Sequence, residues 1–158
     1  MPDQTAKNKF NIFLENEAVD FEQVNENFKK LDDMNLCVES GMKTASYSGG
    51  VTGNANWRYR KYADGTIDMF TKLEFDNLKC NGGSESPYYS SSSKVYFPFT
   101  MTAVYDVQMH LTSNTIGWVS DITGKSVIDY VLFRVMGMEC ETENIYKQIF
   151  ISIKGATT

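Results

Sequence analysis

The chain has 158 residues and a mass of 17.9 kDa, the size of one domain with at most a short appendage. It is 42% hydrophobic, and its 15 basic and 20 acidic residues give a formal charge of −5 and a pI near 4.9. This composition predicts a folded protein and argues against nucleic acid as a partner, because an acidic surface repels phosphates. The short apolar runs and polar start argue against membrane insertion and a signal peptide, and predict a chain made in a cytoplasm.

The first 19 residues form a polar segment with one short apolar island. The island consists of Phe10, Ile12, Phe13 and Leu14. These residues are too few to build a core by themselves, so residues 1–19 are interpreted as an extended attachment arm that lies over a neighbouring subunit or docks on a larger assembly. A frayed terminus is the alternative interpretation.

Residues 20–40 have the spacing of an amphipathic helix. Asp20 and Gln23 suit its N-cap and Gly41 suits its end, so the pattern predicts a helix that reaches Val38. Written as heptads, the seam residues are Phe21, Val24, Phe28, Leu31, Asn35 and Val38. A narrow stripe of this kind is typical of a short coiled-coil neck, in which one buried Asn fixes the number of helices. A single helix packed on its own domain is the alternative.

In residues 41–158 the hydrophobic pattern changes to a period of two, which is typical of β-strands. Two alternating segments, 57–62 and 67–75, flank Asp64 and Gly65, which predicts a β-hairpin. The residues on one face of its second strand are Ile67, Met69, Leu73 and Phe75. A polar loop is predicted over 76–94. Further strands are predicted over 95–103, 104–111, 116–122, 127–136 and 145–154. Pro98 interrupts the first, which indicates an edge or a bulge, and Tyr105, Val107, Met109 and Leu111 lie on one face of the second.

These strands have no helical segment between them. The predicted fold is therefore mainly β: an N-terminal arm and a short coiled-coil neck followed by an antiparallel β-sandwich head. The predicted boundaries are 1–19 for the arm, 20–40 for the neck and 41–158 for the head.

The sequence contains no recognisable catalytic or metal-binding motif. His110 is the only histidine, and its alternating strand predicts a solvated side chain rather than a catalytic base. Cys37, Cys80 and Cys140 lack the spacing of metal or redox sites. We interpret them as reduced and mostly packed thiols, with a Cys80–Cys140 disulfide as the minority alternative. No metal and no cofactor are predicted.

Three acids in or beside strands, Asp106, Asp121 and Asp129, keep a glycoside hydrolase open as an alternative, because paired carboxylates need no local motif. Solvated acids on a half-buried sheet are the simpler interpretation. Arg58 and Arg60, interleaved with aromatic residues, have the pattern of a single-strand-binding surface. The acids of the paired strand, however, are expected to neutralise them.

Three aromatic residues are candidate ligand contacts. Tyr88, Tyr89 and Trp118 lie in or near segments rich in Ser, Asn and Asp, a mixture that stacks on sugar rings and hydrogen-bonds their hydroxyls. Trp118 lies between Ile116 and Val119, so a place in the core is its alternative.

Several short segments within residues 20–155 follow one another in a distinctive order. They are the predicted helix Val24–Asp32, the hairpin Asn56–Gly65, the loop Tyr88–Ser90, the segment Phe97–Phe99 and the closing strand Ile151–Gly155. This order resembles that of bacteriophage tail-fibre and baseplate proteins, including the minor tail and receptor-binding proteins of phages that infect Gram-positive bacteria.

This resemblance implies a homotrimeric structural protein of the virion, with a helical neck and a β-rich head. The implied partners are a second and third copy of the chain, other tail or baseplate proteins, and a host cell-surface glycan. The recognised segments contain no catalytic residue. A polysaccharide-degrading or carbohydrate-binding β-sandwich protein is the alternative.

Overall fold

The computed structural model describes Glu22, Glu26, residues 36–123 and residues 128–157. The chain divides into two units, Met1–Leu36 and Cys37–Thr158. Glu22 and Glu26 are helical. The predicted arm residues lie outside the described residues, as do all the predicted seam residues except Val38; these are Phe10, Ile12, Phe13, Leu14, Phe21, Val24, Phe28, Leu31 and Asn35.

The second unit contains a nine-stranded antiparallel sheet. The strands are β1 (Cys37–Gly49), β2 (Gly53–Tyr62), β3 (Thr66–Phe75), β4 (Tyr88–Tyr89), β5 (Ser93–Tyr96), β6 (Met101–Ser113), β7 (Gly117–Asp121), β8 (Tyr130–Gly137) and β9 (Lys147–Thr157). Their order is β4-β8-β5-β1-β2-β3-β9-β6, and β7 pairs with the free side of β8. The mainly β, antiparallel prediction is confirmed. Ladder pairing joins the strands into one continuous curled sheet, and its edge strands β6 and β7 contact each other.

The predicted extension of the helix to Val38 is wrong. Val38 lies in β1, which begins at Cys37, and its side chain is 65% exposed. From Glu39 to Tyr47 this strand pairs residue by residue with β2, so long-range ladder hydrogen bonds outweigh the local helical spacing. Gly41 is no helix terminus. It faces the Tyr59 ring across the ladder, where an added Cβ would lie 3.2 Å from the phenol oxygen.

The predicted hairpin is confirmed as β2 and β3. Its turn places Gly65 at φ 81°, a conformation that favours glycine, and Asp64 Oδ1 accepts a hydrogen bond of 2.8 Å from the Thr66 amide. The alternation also holds, because Ile67, Met69, Leu73 and Phe75 are all buried. The turn chemistry and the hydrophobic period therefore specify the same register.

The core lies inside the curl of the sheet. Trp57 is fully buried, packs edge-on against Phe97, and donates its indole N–H to the Tyr96 carbonyl at 3.0 Å. Strands from both ends of the sheet order contribute to this core, because β8 brings Phe133 and β9 brings Ile151. Burial of apolar side chains from distant strands explains why the sheet curls instead of lying flat.

Three predictions about the middle of the chain differ in part from the structure. Tyr105 is exposed rather than aligned with Val107, because a register shift between Val104 and Asp106 changes the alternation in β6. The segment 95–103 is not one strand but is divided at the interruption expected at Pro98: β5 ends at Tyr96, Pro98 lies in the connection, and β6 begins at Met101. The predicted loop over 76–94 also contains β4 and the start of β5.

A buried ion pair fastens the segments that precede β4 and β9. Lys147 Nζ donates to Glu141 Oε2 at 2.7 Å and to the Leu78 carbonyl at 2.8 Å, and only 1% of Lys147 is exposed. Glu141 also accepts hydrogen bonds from the Cys80 amide at 2.7 Å and from Thr115 Oγ1 at 3.2 Å. Every charged group of the pair therefore has additional partners, as a buried pair requires.

The cysteines are free thiols. Cys80 is buried, whereas Cys37 and Cys140 are exposed, so the prediction of mostly packed thiols is wrong for two of the three. Burial, followed by the charge of Glu141, raises the pKa of the Cys80 thiol to about 11. The buried thiol therefore stays protonated and is a poor nucleophile.

Candidate functional site

Two of the three predicted ligand-contact residues lie on one exposed row of the sheet. Tyr89 in β4 and Trp118 in β7 both stand opposite Met136, the residue of β8 that lies between them. Residues paired in register point to the same face, and Tyr89 and Trp118 are 40% and 43% exposed. We call Tyr89, Met136 and Trp118 the aromatic row. The strands that carry Tyr89 and Trp118 lie two strand spacings apart, about 10 Å.

The Tyr89 ring is held by its neighbours. Gly82 forms two backbone hydrogen bonds with Tyr89, of 2.9 and 3.0 Å, and an added Cβ at Gly82 would lie 2.5 Å from the ring. The Arg134 guanidinium lies 5.2 Å from the ring centroid, within cation–π range. Arg134 Nε in turn donates to Ser92 Oγ at 2.7 Å. These contacts restrain the Tyr89 ring on one side, while the rest of it stays exposed.

The strand that carries Trp118 packs closely against the backbone of β8. Gly117 stands opposite Gly137 in the β7–β8 ladder, and an added Cβ at Gly117 would lie 2.3 Å from the Met136 carbonyl oxygen. Only glycine fits this close approach. The strand that carries Trp118 therefore lies tightly on β8, and Ile116 and Met138 extend the exposed apolar surface beyond it.

Tyr88 does not join the aromatic row. It stands opposite Gly137, is partly buried, and packs against the hydrophobic core. Alternation along β4 explains the difference, because neighbouring residues of a strand point to opposite faces. The residues that the sequence analysis missed are Met136 and Arg134. Little in the sequence indicated that Met136 and Arg134 face solvent, because β8 has apolar residues on both faces. Only the cross-strand register shows which face is exposed.

The three acids considered for a glycosidase are exposed and lie at different places in the sheet. Asp106 is on β6 opposite Lys154, Asp121 ends β7 opposite Phe133, and Asp129 precedes β8. Asp106 Oδ2 accepts a hydrogen bond from Gln108, and Asp121 Oδ1 accepts one from the Thr123 amide. These are the contacts of solvated acids on a sheet surface.

Other candidate chemistry is sparse among the described residues. His110 is exposed on β6. Within residues 36–123 and 128–157, no three His, Cys, Asp or Glu side chains are grouped to hold a metal ion. In the same part of the chain, no helix is long and apolar enough to cross a membrane.

The basic residues of the hairpin are only partly neutralised, and by different strands. Arg60 stands opposite Asp68 in β3, as expected of a paired strand. Lys61, in contrast, is 3.5 Å from Glu39 of β1. Arg58 stands opposite Phe70 and so has no acid across the ladder.

Comparison of the chain with protein-family models, with curated proteins and with solved structures finds no match. The geometry of its own residues therefore carries the functional interpretation. The aromatic row is the exposed surface that brings together two of the predicted ligand-contact residues, Tyr89 and Trp118.

Proposed function

We propose that the chain is a structural and adhesion protein of a phage tail, located in the virion fibre, tail tip or baseplate. In this proposal residues 1–19 attach it to other tail proteins, a helical neck within residues 20–40 makes it a homotrimer, and the β unit is the head. The head contacts a host cell-surface glycan or a neighbouring tail protein, without catalysis, cofactor or nucleic acid.

The observation that carries the contact role is the exposed aromatic row. Exposed aromatic rings flanked by polar groups are typical of surfaces that bind sugars and proteins, because a ring offers a large apolar face at little entropic cost. Tyr89 and Trp118 have this exposure, Arg134 lies beside the Tyr89 ring, and Ser92 is hydrogen-bonded to Arg134. A ligand laid across β4, β8 and β7 would reach both rings.

Avidity is the proposed mechanism. One aromatic row of this size supports only modest affinity, because few groups are buried by a ligand on an open sheet face. Three heads on one neck convert the second and third contacts into intramolecular events, which raises the overall affinity by orders of magnitude without new contacts. The seam residues Phe28 and Leu31 are the proposed centre of that neck.

The test of the contact role is binding of the full-length chain to an array of bacterial cell-wall glycans. We expect Tyr89→Ala and Trp118→Ala each to reduce binding about tenfold, because each removes the apolar face of one ring. Tyr105→Ala is the matched control, since Tyr105 is also an exposed tyrosine but lies on β6. Equal binding by Tyr89→Ala and Tyr105→Ala would contradict this assignment.

A carbohydrate-binding protein unconnected with phage is the second candidate, because the same aromatic row supports it. The two candidates differ in assembly. The phage proposal requires a trimer, whereas a free-standing binding module works as a monomer on soluble sugar. A degrading enzyme would release sugar from the bound polysaccharide and would lose that activity on mutation of Asp106, Asp121 or Asp129.

A further inference from the structure

The outer face of the sheet also carries a groove, and none of the aromatic-row residues lines it. It has a volume of about 430 Å³, within the range of roughly 300–1,000 Å³ that is typical of small-molecule sites. Its floor and walls come from β1, β2, β3 and β9. Its exposed apolar part is formed by Met42, Phe70 and Phe150, and its exposed polar part by Asn56, Arg58, Lys72 and Ser152. Thr71 and Ile151 also line it, but both residues are buried.

The apolar side chains of the groove are unusually exposed. Met42, Phe70 and Phe150 are 63%, 44% and 43% exposed. Phe70 and Phe150 lie on the neighbouring strands β3 and β9, where Phe70 pairs with Ser152 and Phe150 pairs with Lys72. The two rings are therefore diagonal neighbours on one face, a spacing that lets aromatic side chains share a ligand.

The acids of this face lie outside its two central ladder rows. The ladder rows that contain Phe70 and Phe150 include the basic residues Arg58 and Lys72 and His110, but no acid among the described pairs. Acids occur only in the rows on either side, as Asp68 and Asp106 in one and Glu74 in the other. In a chain of net charge −5, the groove is thus a local basic surface.

The two cations of the groove have different partners. Lys72 Nζ is 2.8 Å from Glu74 Oε1, an exposed pair whose net attraction is small. Arg58 has no hydrogen bond or ion pair with a described residue, and it faces Phe70 on one side and Met42 on the other. A guanidinium beside an apolar surface is suited to an anion, because it offers paired donors that match a carboxylate, phosphate or sulfonate.

We propose that this groove is a second ligand site, which binds a small organic anion that carries an apolar ring. The ring contacts Phe70 and Phe150, and the acid group pairs with Arg58, with Lys72 contributing charge. The proposal does not depend on the phage function, because it uses neither the neck nor the aromatic row.

The experiment uses two fluorescent probes with the same ring system. Anilinonaphthalene sulfonate carries a negative charge, and phenylnaphthylamine is its neutral counterpart. We expect the full-length chain to bind the anionic probe at one site per chain and about tenfold more tightly than the neutral one, since a charge-assisted contact contributes on this scale. Added salt should weaken binding of the anionic probe only.

Substitutions test whether the anionic probe binds in this groove. Arg58→Gln and Phe70→Ser should each weaken anionic-probe binding about tenfold, whereas Arg60→Gln, the matched control on the next exposed position of β2, should leave it unchanged. All three side chains are exposed, and circular dichroism checks that each variant is folded. Equal affinity for the two probes, unchanged affinity in Arg58→Gln, or loss of binding in Trp118→Ala instead would each overturn the proposal.

Discussion

Substitution of Lys147 by Met should be one of the most damaging single changes in the β unit. Lys147 is buried, and Met fills a similar volume without the charge. The change leaves the Glu141 carboxylate buried without its cation and leaves the Leu78 carbonyl without its donor. Breaking a buried pair from one side costs about 3–5 kcal/mol. A domain of this size has about 5–15 kcal/mol in total, so a large share of its stability would be lost.

Urea unfolding, followed by tryptophan fluorescence, measures this loss. With a slope of about 2 kcal/mol per molar urea, a loss of about 4 kcal/mol moves the midpoint down by about 2 M. Lys72→Met is the matched control. Its side chain is 46% exposed in a surface pair with Glu74, so its removal should leave the urea midpoint almost unchanged.

The double variant Glu141→Gln, Lys147→Met sharpens the test. Each single change leaves one buried charge without its partner, whereas the double change removes both charges. The double variant should therefore lose less stability than the sum of the two single variants. Additive losses, or a Lys147→Met variant as stable as the Lys72→Met control, would refute the reasoning.

Three further predictions concern titration, thiols and the aromatic row. Burial by itself would raise the pKa of Glu141, but hydrogen bonds from Lys147 and Cys80 and the Lys147 charge lower it below 4.5. The unfolded chain therefore takes up this proton first, and the free energy of unfolding should fall as the pH drops below about 5, and fall less steeply in Glu141→Gln. Ellman's reagent should label two cysteines in the folded protein and a third only in urea, whereas rapid labelling of all three would contradict the burial of Cys80. Gly82→Ala should displace the Tyr89 ring and weaken glycan binding as Tyr89→Ala does, with unchanged binding as the contrary result.

The sequence predicted the hairpin and the alternation of β3 correctly, because turn chemistry and hydrophobic period are both local. Asp64 and Gly65 define the turn, and the residues on either side show which face is buried. The antiparallel class followed for the same reason. These features depend on residues that are close together in the chain.

The features that were mispredicted depend on residues that are far apart. β1 contains Val38 and Gly41 because β2 pairs with it, which no local pattern showed. Tyr105 is exposed because of a bulge in β6 that its own alternation conceals. A curled continuous sheet is likewise a property of strand pairing rather than of any strand.

The candidate site was likewise predictable from the sequence only where it depends on local features. Tyr89 and Trp118 were recognisable as ligand contacts from their polar neighbours, but their meeting on Met136 is a consequence of two ladders. Tyr88 was indistinguishable from Tyr89 by composition and differs only in the face that it occupies. The basic groove around Arg58 was also hidden, because its walls come from four strands.

The central claim is that three chains assemble through a neck and present passive, contact-making β heads. Light scattering of the full-length chain, coupled to size-exclusion chromatography, tests it most directly. The claim predicts a mass near three times 17.9 kDa, which falls when Phe28 and Leu31 are replaced by Asp. A single species of 17.9 kDa at all concentrations, or a mass that the Asp substitutions leave unaltered, would contradict it.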